Sequence, residues 1–335
     1  MSARPHSRGH ARTWLSALLC AGLATSAARA ADPAPFSFRT NDVIAFVGGE
    51  DVVEMQRNGY LELLLTAALP HHKLRFRNLA FEGDTVFEQH RQLNFPSWEK
   101  QLESVGATVV VAQFGQAESL QGTNAILRFI DAYGRLIDRF KHGQRRLLLI
   151  GPTEFEKLPG QSILDFLERR RTLNQYILAA SEMAAKRSDV SAVMWDLTPT
   201  LDADVIHTRD GLHLNSFGHR AVAWRVVTAL EITAGEQLVD GHLQGRVVHV
   251  HLRGTGVGPD DMDRLRQLIL EKNRLWFDYW RPQNWAFLHG DRTEQPSSRD
   301  HRDLKKRWFP EEMERFVPLI ESKEREIWKL AAELK

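Results

Sequence analysis

Short apolar runs recur along the first two thirds of the chain: VIAFVG at 43–48, KLRFRNLA at 73–80, TVVVAQFG at 108–115, RRLLLIGP at 145–152 and AVMWDLTP at 192–199. They are rich in Val, Ile, Leu and Phe, and nearly continuous. Runs of this kind suit strands buried on both faces of a parallel sheet. Amphipathic stretches fall between and after them, at about 56–69, 92–104, 122–141, 163–187 and 216–232. The alternation predicts an α/β fold built on a doubly wound, mostly parallel, five-stranded sheet with helices on both faces. In such sheets ligands sit beyond the carboxyl ends of the strands. The loops that follow the runs are therefore where chemistry is expected.

The pattern changes after about residue 235. GRVVHVHLRG (245–254) alternates like an exposed strand, and 258–276 reads as a helix opened by Pro259 and acidic residues. A loop-like stretch, 281–309, holds Trp285, Phe287, Trp308 and Phe309 among many charges, and a charged amphipathic helix is expected over 310–334. Its alternating charge signs suit a solvated helix face and not a nucleic-acid arm. The expected organisation is an α/β domain over 31–235 and an α-rich C-terminal extension over 236–335.

Residues 1–30 change the picture of where the fold starts. Arg4, Arg8 and Arg12 precede a largely apolar run, Trp14 to Ala24, and Ala28, Arg29 and Ala30 form a small-x-small cleavage signal. This is the three-part pattern of a secretory signal peptide, so the protein is expected to be exported, to the periplasm or beyond, with no stable membrane insertion after cleavage. The single cysteine, Cys20, lies in that segment. The expected mature chain thus has no disulfide, no thiolate metal site and no cysteine nucleophile. Apolar residues make up 43% of the chain, charged residues 26%, and the net charge is +1. Nothing there draws the protein to nucleic acid or to an anionic membrane.

The clearest chemical signal is Asp210 followed three residues later by His213, in DGLHLNSFGHRAVA. An aspartate so placed can orient an imidazole and stabilise its charged form, letting the histidine act as general base and acid. Alone, the spacing fits equally a loop before a helix, capped by Asn215 or Ser216.

In order along the chain, these loops resemble the SGNH/GDSL hydrolase superfamily of esterases, lipases and carbohydrate deacetylases. The resemblance covers about residues 41–232 and implies a flavodoxin-like three-layer sandwich. DGLHLNSFGHRAVA is similar to the family's last block, which supplies the catalytic Asp and His. NLAFEGDTV (78–86) is similar to the second, and places Gly83 on the glycine that gives an oxyanion amide. The first block, usually Gly-Asp-Ser, aligns with VIAFVGGED and puts Gly48, Gly49 and Glu50 on those positions. The third, usually Gly-x-Asn-Asp, aligns with Gly115, Gln116, Ala117 and Glu118. The nucleophile and one oxyanion donor are therefore replaced, by Glu50 and Ala117.

A carboxylate has no hydroxyl proton for a histidine to remove, and a lost oxyanion donor is typically worth about 3 kcal/mol. Ordinary serine chemistry is not expected. Ser119 and Thr85 are hydroxyls near the blocks, and Gln116 could replace the missing amide donor. Glu50 and Glu118 could converge as paired carboxylates, of use in glycoside hydrolysis or in holding a cation. His249 and His251 share one face of a predicted strand, but the commoner case is a solvent-facing strand, and no metal or other cofactor is expected. Trp285, with Arg281 and Asn284, is a candidate for stacking on sugars, whereas Trp276, Phe277 and Trp280 sit at helical spacing suited to docking the extension. Two readings follow: a degenerate member that binds a small molecule or carbohydrate, and an active hydrolase of non-serine chemistry using Asp210 and His213 with Glu50 or Glu118.

Overall fold

Five strands form one parallel sheet in a computed structural model that describes residues 36–91, 94–195, 206–232 and 259–334. They are β1 (Val43–Gly48), β2 (Arg75–Asn78), β3 (Val109–Gln113), β4 (Arg146–Ile150) and β5 (Val190–Val193), in the order β2-β1-β3-β4-β5. Every pairing in this sheet is parallel. Successive side chains alternate between two cores. Ala45, Val47, Val110, Ala112, Leu147 and Leu149 face one. Ile44, Phe46, Val109, Val111, Leu148 and Ile150 face the other. Both faces are packed against apolar side chains, which is why the runs are nearly continuous in apolar residues.

The first face is covered by α3 (Trp98–Ser104), α5 (Ile126–Lys141) and α6 (Ile163–Ala185), through Leu102, Phe129, Ile137 and Tyr176. The second is covered by α1 (Glu50–Asn58), α2 (Tyr60–Ala68) and α7 (Ser216–Ala229), through Val52, Leu61, Leu64 and Val226. A single turn, α4 (Gln116–Ser119), follows β3. The helix expected over 56–69 is in fact two. Gly59 takes a left-handed φ of 69° and its N–H closes α1 on the Met55 carbonyl, a conformation that suits glycine. The first of the two begins six residues before 56, directly after β1. Glu50 and Asp51 in its first turn complement the helix dipole.

The C-terminal region supplies α8 (Pro259–Trp280), the two-stranded hairpin β6 (Arg299–Asp300) and β7 (Asp303–Arg307), α9 (Trp308–Glu314) and α10 (Phe316–Glu333). The stretch 281–309, expected as loop, thus holds 3-10 turns and a hairpin, and the final helix is broken at Arg315. Helices α8 and α10 pack on α2 through Leu63, Leu265, Ile269, Ile327 and Leu330. Trp276 docks as its spacing suggested: it is buried in the first core, and its Nε1 donates to the Asn78 carbonyl at 2.9 Å. Trp328 Nε1 donates to the Leu74 carbonyl at 3.0 Å. These indoles meet both ends of β2, an edge strand whose outer side would otherwise stand open. Deeper in, Lys272 of α8 lies 2.7 Å from Glu62 of α2, both buried, with Asn273 Oδ1 accepting from the same ammonium at 2.6 Å.

The expected signal peptide, the end of the fifth run (196–199) and the strand carrying His249 and His251 lie outside the described residues. Among the described residues no helix is long and apolar enough to cross a membrane, and no group of three or more metal-ligating side chains is assembled.

Candidate functional site

The chain leaves β1 to build β2 on one side and β3 on the other. The crevice at the carboxyl ends of β1 and β3 is therefore the switch point at which doubly wound sheets take ligands. A cleft of about 230 Å³ opens there. Its lining brings together Glu50, Gly83, Gln116, Ala117, Glu118 and His213 from four separate loops. Glycine at position 48 makes the sharp exit from β1 possible. A Cβ there would stand 2.5 Å from the Val52 side chain and 2.6 Å from the Gln113 carbonyl oxygen.

His213 sits at the tip of a tight loop. Thr208 and Leu214 bridge antiparallel across it, and Arg209 N–H donates to the His213 carbonyl at 2.9 Å. Asp210 Oδ2 lies 2.7 Å from His213 Nδ1, and Asp210 Oδ1 accepts the N–H groups of His213 (2.8 Å) and Leu212 (3.1 Å). Burial pulls the Asp210 carboxyl upward, but these donors and the imidazole outweigh it and hold the pKa down at about 2. The acid is thus ionised and aligned on the ring, leaving Nε2 for the cleft. Asn215, at the foot of the loop, caps α7 by accepting the Gly218 N–H at 3.0 Å.

Glu50 is the first residue of α1, and its Oε1 accepts from Arg209 Nη2 at 3.1 Å. The carboxylate that the sequence resemblance aligns with a nucleophile is thereby tied across to the histidine loop. Gly83 has a left-handed φ of 80°, and among the described residues no hydrogen bond takes up its N–H. Neighbouring Asp84 is clasped by both terminal nitrogens of Arg91, at 2.7 and 2.6 Å. Glu82, on the other side, pairs with Arg281 from just beyond α8 at 2.7 Å. The C-terminal region therefore reaches the loop that carries Gly83.

The remaining residues fall into place by their bonds. Glu118 is 1% exposed, with Oε1 accepting the Val86 N–H and Oε2 the Gly115 N–H, both at 2.7 Å. Burial raises its pKa, and the amides oppose the rise. It staples the second block to the third. Gln116 Nε2 donates to the carbonyls of Leu212 (2.9 Å) and Thr153 (3.1 Å), so this amide holds the histidine loop. Ser119 does not line the cleft; its Oγ donates to the Gln116 carbonyl at 2.6 Å. Thr85 Oγ1 accepts the N–H groups of Glu88 and Phe87. Trp285 stands away from the cleft lining, edge-to-face with Phe95 at 6.1 Å, in a cluster with Phe81 and Trp280.

Two carboxylates emerge that the sequence reading passed over. Asp51 lines the cleft beside Glu50, and its Oδ1 accepts the Leu214 N–H at 3.2 Å. Burial raises its pKa, while Thr153, Leu214 and the charge of His213 oppose the rise. Glu156 accepts the N–H groups of His207 (2.7 Å) and Thr208 (2.8 Å) and the Thr208 hydroxyl (2.5 Å), and so anchors the strand-like entry to the histidine loop. Its place after β4, at the carboxyl end of a strand, was the available signal.

No protein-family profile and no curated protein matches this sequence. Solved structures do. A gut microbial diltiazem-metabolizing enzyme superposes with a TM-score of 0.55 at 14% identity, over 89% of this chain and 95% of its own. An acetylxylan esterase from Geobacillus stearothermophilus gives a TM-score of 0.41 at 15% identity, over 58% of this chain and 96% of its own. A GDSL-like lipase from Parabacteroides merdae gives 0.44 at 12%, over 59% and 99%. This chain has a five-stranded parallel α/β fold with a helical C-terminal region, shared with the diltiazem-metabolizing enzyme over most of its length, and acetylxylan and GDSL-like esterases are among its structural neighbours.

Proposed function

We propose that this protein is an exported binding member of the SGNH fold, one that holds a small molecule or carbohydrate against His213 and does not perform serine-type acyl transfer. One observation carries the reading. The position expected for the nucleophile is held by Glu50, whose carboxylate is tied to Arg209, and no serine or cysteine is among the described residues that line the cleft. Thr153 is the one hydroxyl among the described residues there, and it is buried at 4% exposure. The donor lost at Ala117 is not replaced by Gln116, whose amide is bonded to two backbone carbonyls.

The decisive experiment pairs covalent labelling with binding. Incubation with a fluorophosphonate probe is expected to leave the protein unlabelled, and a glycan array is expected to show binding that His213→Ala removes. Labelling of the wild-type chain overturns the proposal, and a blank array overturns its carbohydrate form.

A second reading has its own support in the 2.7 Å contact between Asp210 and His213. An aspartate held ionised in that position suits a histidine that takes a proton from water, which then attacks the ester directly. Glu50 would be the assisting carboxylate, since both oxygens of Glu118 are occupied by backbone amides. Turnover of a short-chain aryl ester, lost in His213→Ala and insensitive to the fluorophosphonate, selects this reading over the first.

A further inference from the structure

Four carboxylates line the cleft, Glu50, Asp51, Asp84 and Glu118, and among the described residues no lysine or arginine does. Three of the four have partners already. Glu50 is tied to Arg209, Asp84 is clasped by Arg91, and both oxygens of Glu118 hold backbone amides. Asp51 differs. Its Oδ1 accepts the Leu214 N–H at 3.2 Å, and no lysine or arginine pairs with it among the described residues. Burial pushes its carboxyl pKa upward, as expected of an anion held in the protein without a full countercharge.

A second acceptor in the cleft is incomplete. Gln113, at the end of β3, is 5% exposed and lines the same space. Its Nε2 donates to the Gly151 carbonyl at 2.7 Å, and its Oε1 has no hydrogen-bond partner among the described residues. A buried amide oxygen without a donor is costly, and a ligand that brings an N–H group removes that cost. An anionic ligand would instead meet four carboxylates and no basic side chain.

The rest of the wall is apolar. Val52, Phe114, Leu120, Pro152 and Leu212 line it, and most of its exposed surface is apolar. At about 230 Å³ the cleft is below the roughly 300–1,000 Å³ of drug-sized ligand sites, so it takes a compact body.

Building on the reading of the cleft as a ligand site, we propose that the ligand is a compact organic cation, an amine with an apolar body, whose ammonium group donates to Asp51 and Gln113. Its body would lie along Phe114, Pro152 and Leu212. Ligand-observed NMR titration of the full chain would compare benzylamine, cationic at neutral pH, with benzyl alcohol and benzoate, which keep the ring and change the charge. Benzylamine is expected to bind at least about tenfold more tightly than either. Asp51→Asn keeps an oxygen for the Leu214 N–H and is expected to cut that preference to about threefold or less. Leu120→Arg, at an exposed position on the rim, is expected to weaken benzylamine and strengthen benzoate.

Equal binding of the three, weakened by His213→Ala, overturns the ammonium proposal and leaves the cleft standing as the ligand site. Benzylamine binding that Asp51→Asn and Leu120→Arg both leave untouched overturns it too, because the amine then sits elsewhere. Loss of amine binding on adding calcium chloride, but not sodium chloride of equal ionic strength, overturns it in favour of an inorganic cation. No binding by any of the three overturns the ammonium proposal and the small-molecule form of the cleft reading together.

Discussion

At the first residue of α1 stands the carboxylate on which the proposed function turns, Glu50, and it shares a cleft with His213. Asp210 is aligned on His213, the Gly83 N–H is free of hydrogen bonds among the described residues, and Glu50 shares their cleft. Glu50→Ser would supply a hydroxyl at the end of β1 and release Arg209. The variant is expected to become labelled by a fluorophosphonate, in a manner that a second change, His213→Ala, abolishes. Its ester turnover is expected to stay low because Ala117 offers no oxyanion donor. Adding Ala117→Asn is expected to raise turnover by about 10²–10³-fold, the usual effect of one such donor. Labelled gel bands and aryl-acetate kinetics read both outcomes. The sequence disclosed Glu50, Gly83 and His213 because each lies in a block with a recognisable neighbour. It did not disclose Asp51, since a second acid in the first turn of a helix is what any helix start tends to carry. Nor did it show that Glu118 is a staple, because only the fold brings the Val86 and Gly115 amides to one carboxylate.

Among the elements, the histidine loop depends on a residue outside it. Glu156 takes three hydrogen bonds from His207 and Thr208, and these together with its imidazole contact outweigh burial and hold its carboxyl at about 2. A carboxylate with a depressed folded pKa adds stability above its unfolded value, and that stability is lost as pH falls through the folded value. Glu156→Gln is expected to lower stability by about 1–3 kcal/mol near neutral pH. Urea unfolding followed by tryptophan fluorescence should show wild type and variant converge as pH falls from about 4.5 to about 2. The same scale shows which elements were legible. Interior strands β1, β3 and β4 were plain, because burial on both faces leaves uninterrupted apolar runs. Edge strand β5 begins at Val190, earlier than the apolar run at 192–199, because Ser191 interrupts the apolar pattern and only Val193 of its four residues is buried. The hairpin β6–β7 carries no apolar alternation: RDHRDLKKR is almost wholly charged and largely exposed, so no periodic signal could mark it.

Across the whole molecule, the ion pair of Lys272 with Glu62 ties the C-terminal region to the α/β unit over 210 positions of sequence. Burial pushes the Glu62 pKa up and the Lys272 pKa down, each opposed by the other's charge. Removing one partner strands the other. Lys272→Met is expected to destabilise by about 3–5 kcal/mol, and a double variant with Glu62→Leu to recover most of that loss. Denaturant midpoints of the two single variants and the double variant measure the coupling.

The two indoles on β2 carry a consequence in time. That strand is the second in sequence, while Trp276 and Trp328, which meet its two ends, lie in the last quarter of the chain. A polypeptide made from its N-terminus therefore has its sheet edge written long before the segments that shield it. Until those segments arrive, the outer side of β2 is an open template for pairing with another chain. Completion of the fold is thus tied to completion of synthesis, and a chain stopped short of α8 is the form expected to aggregate.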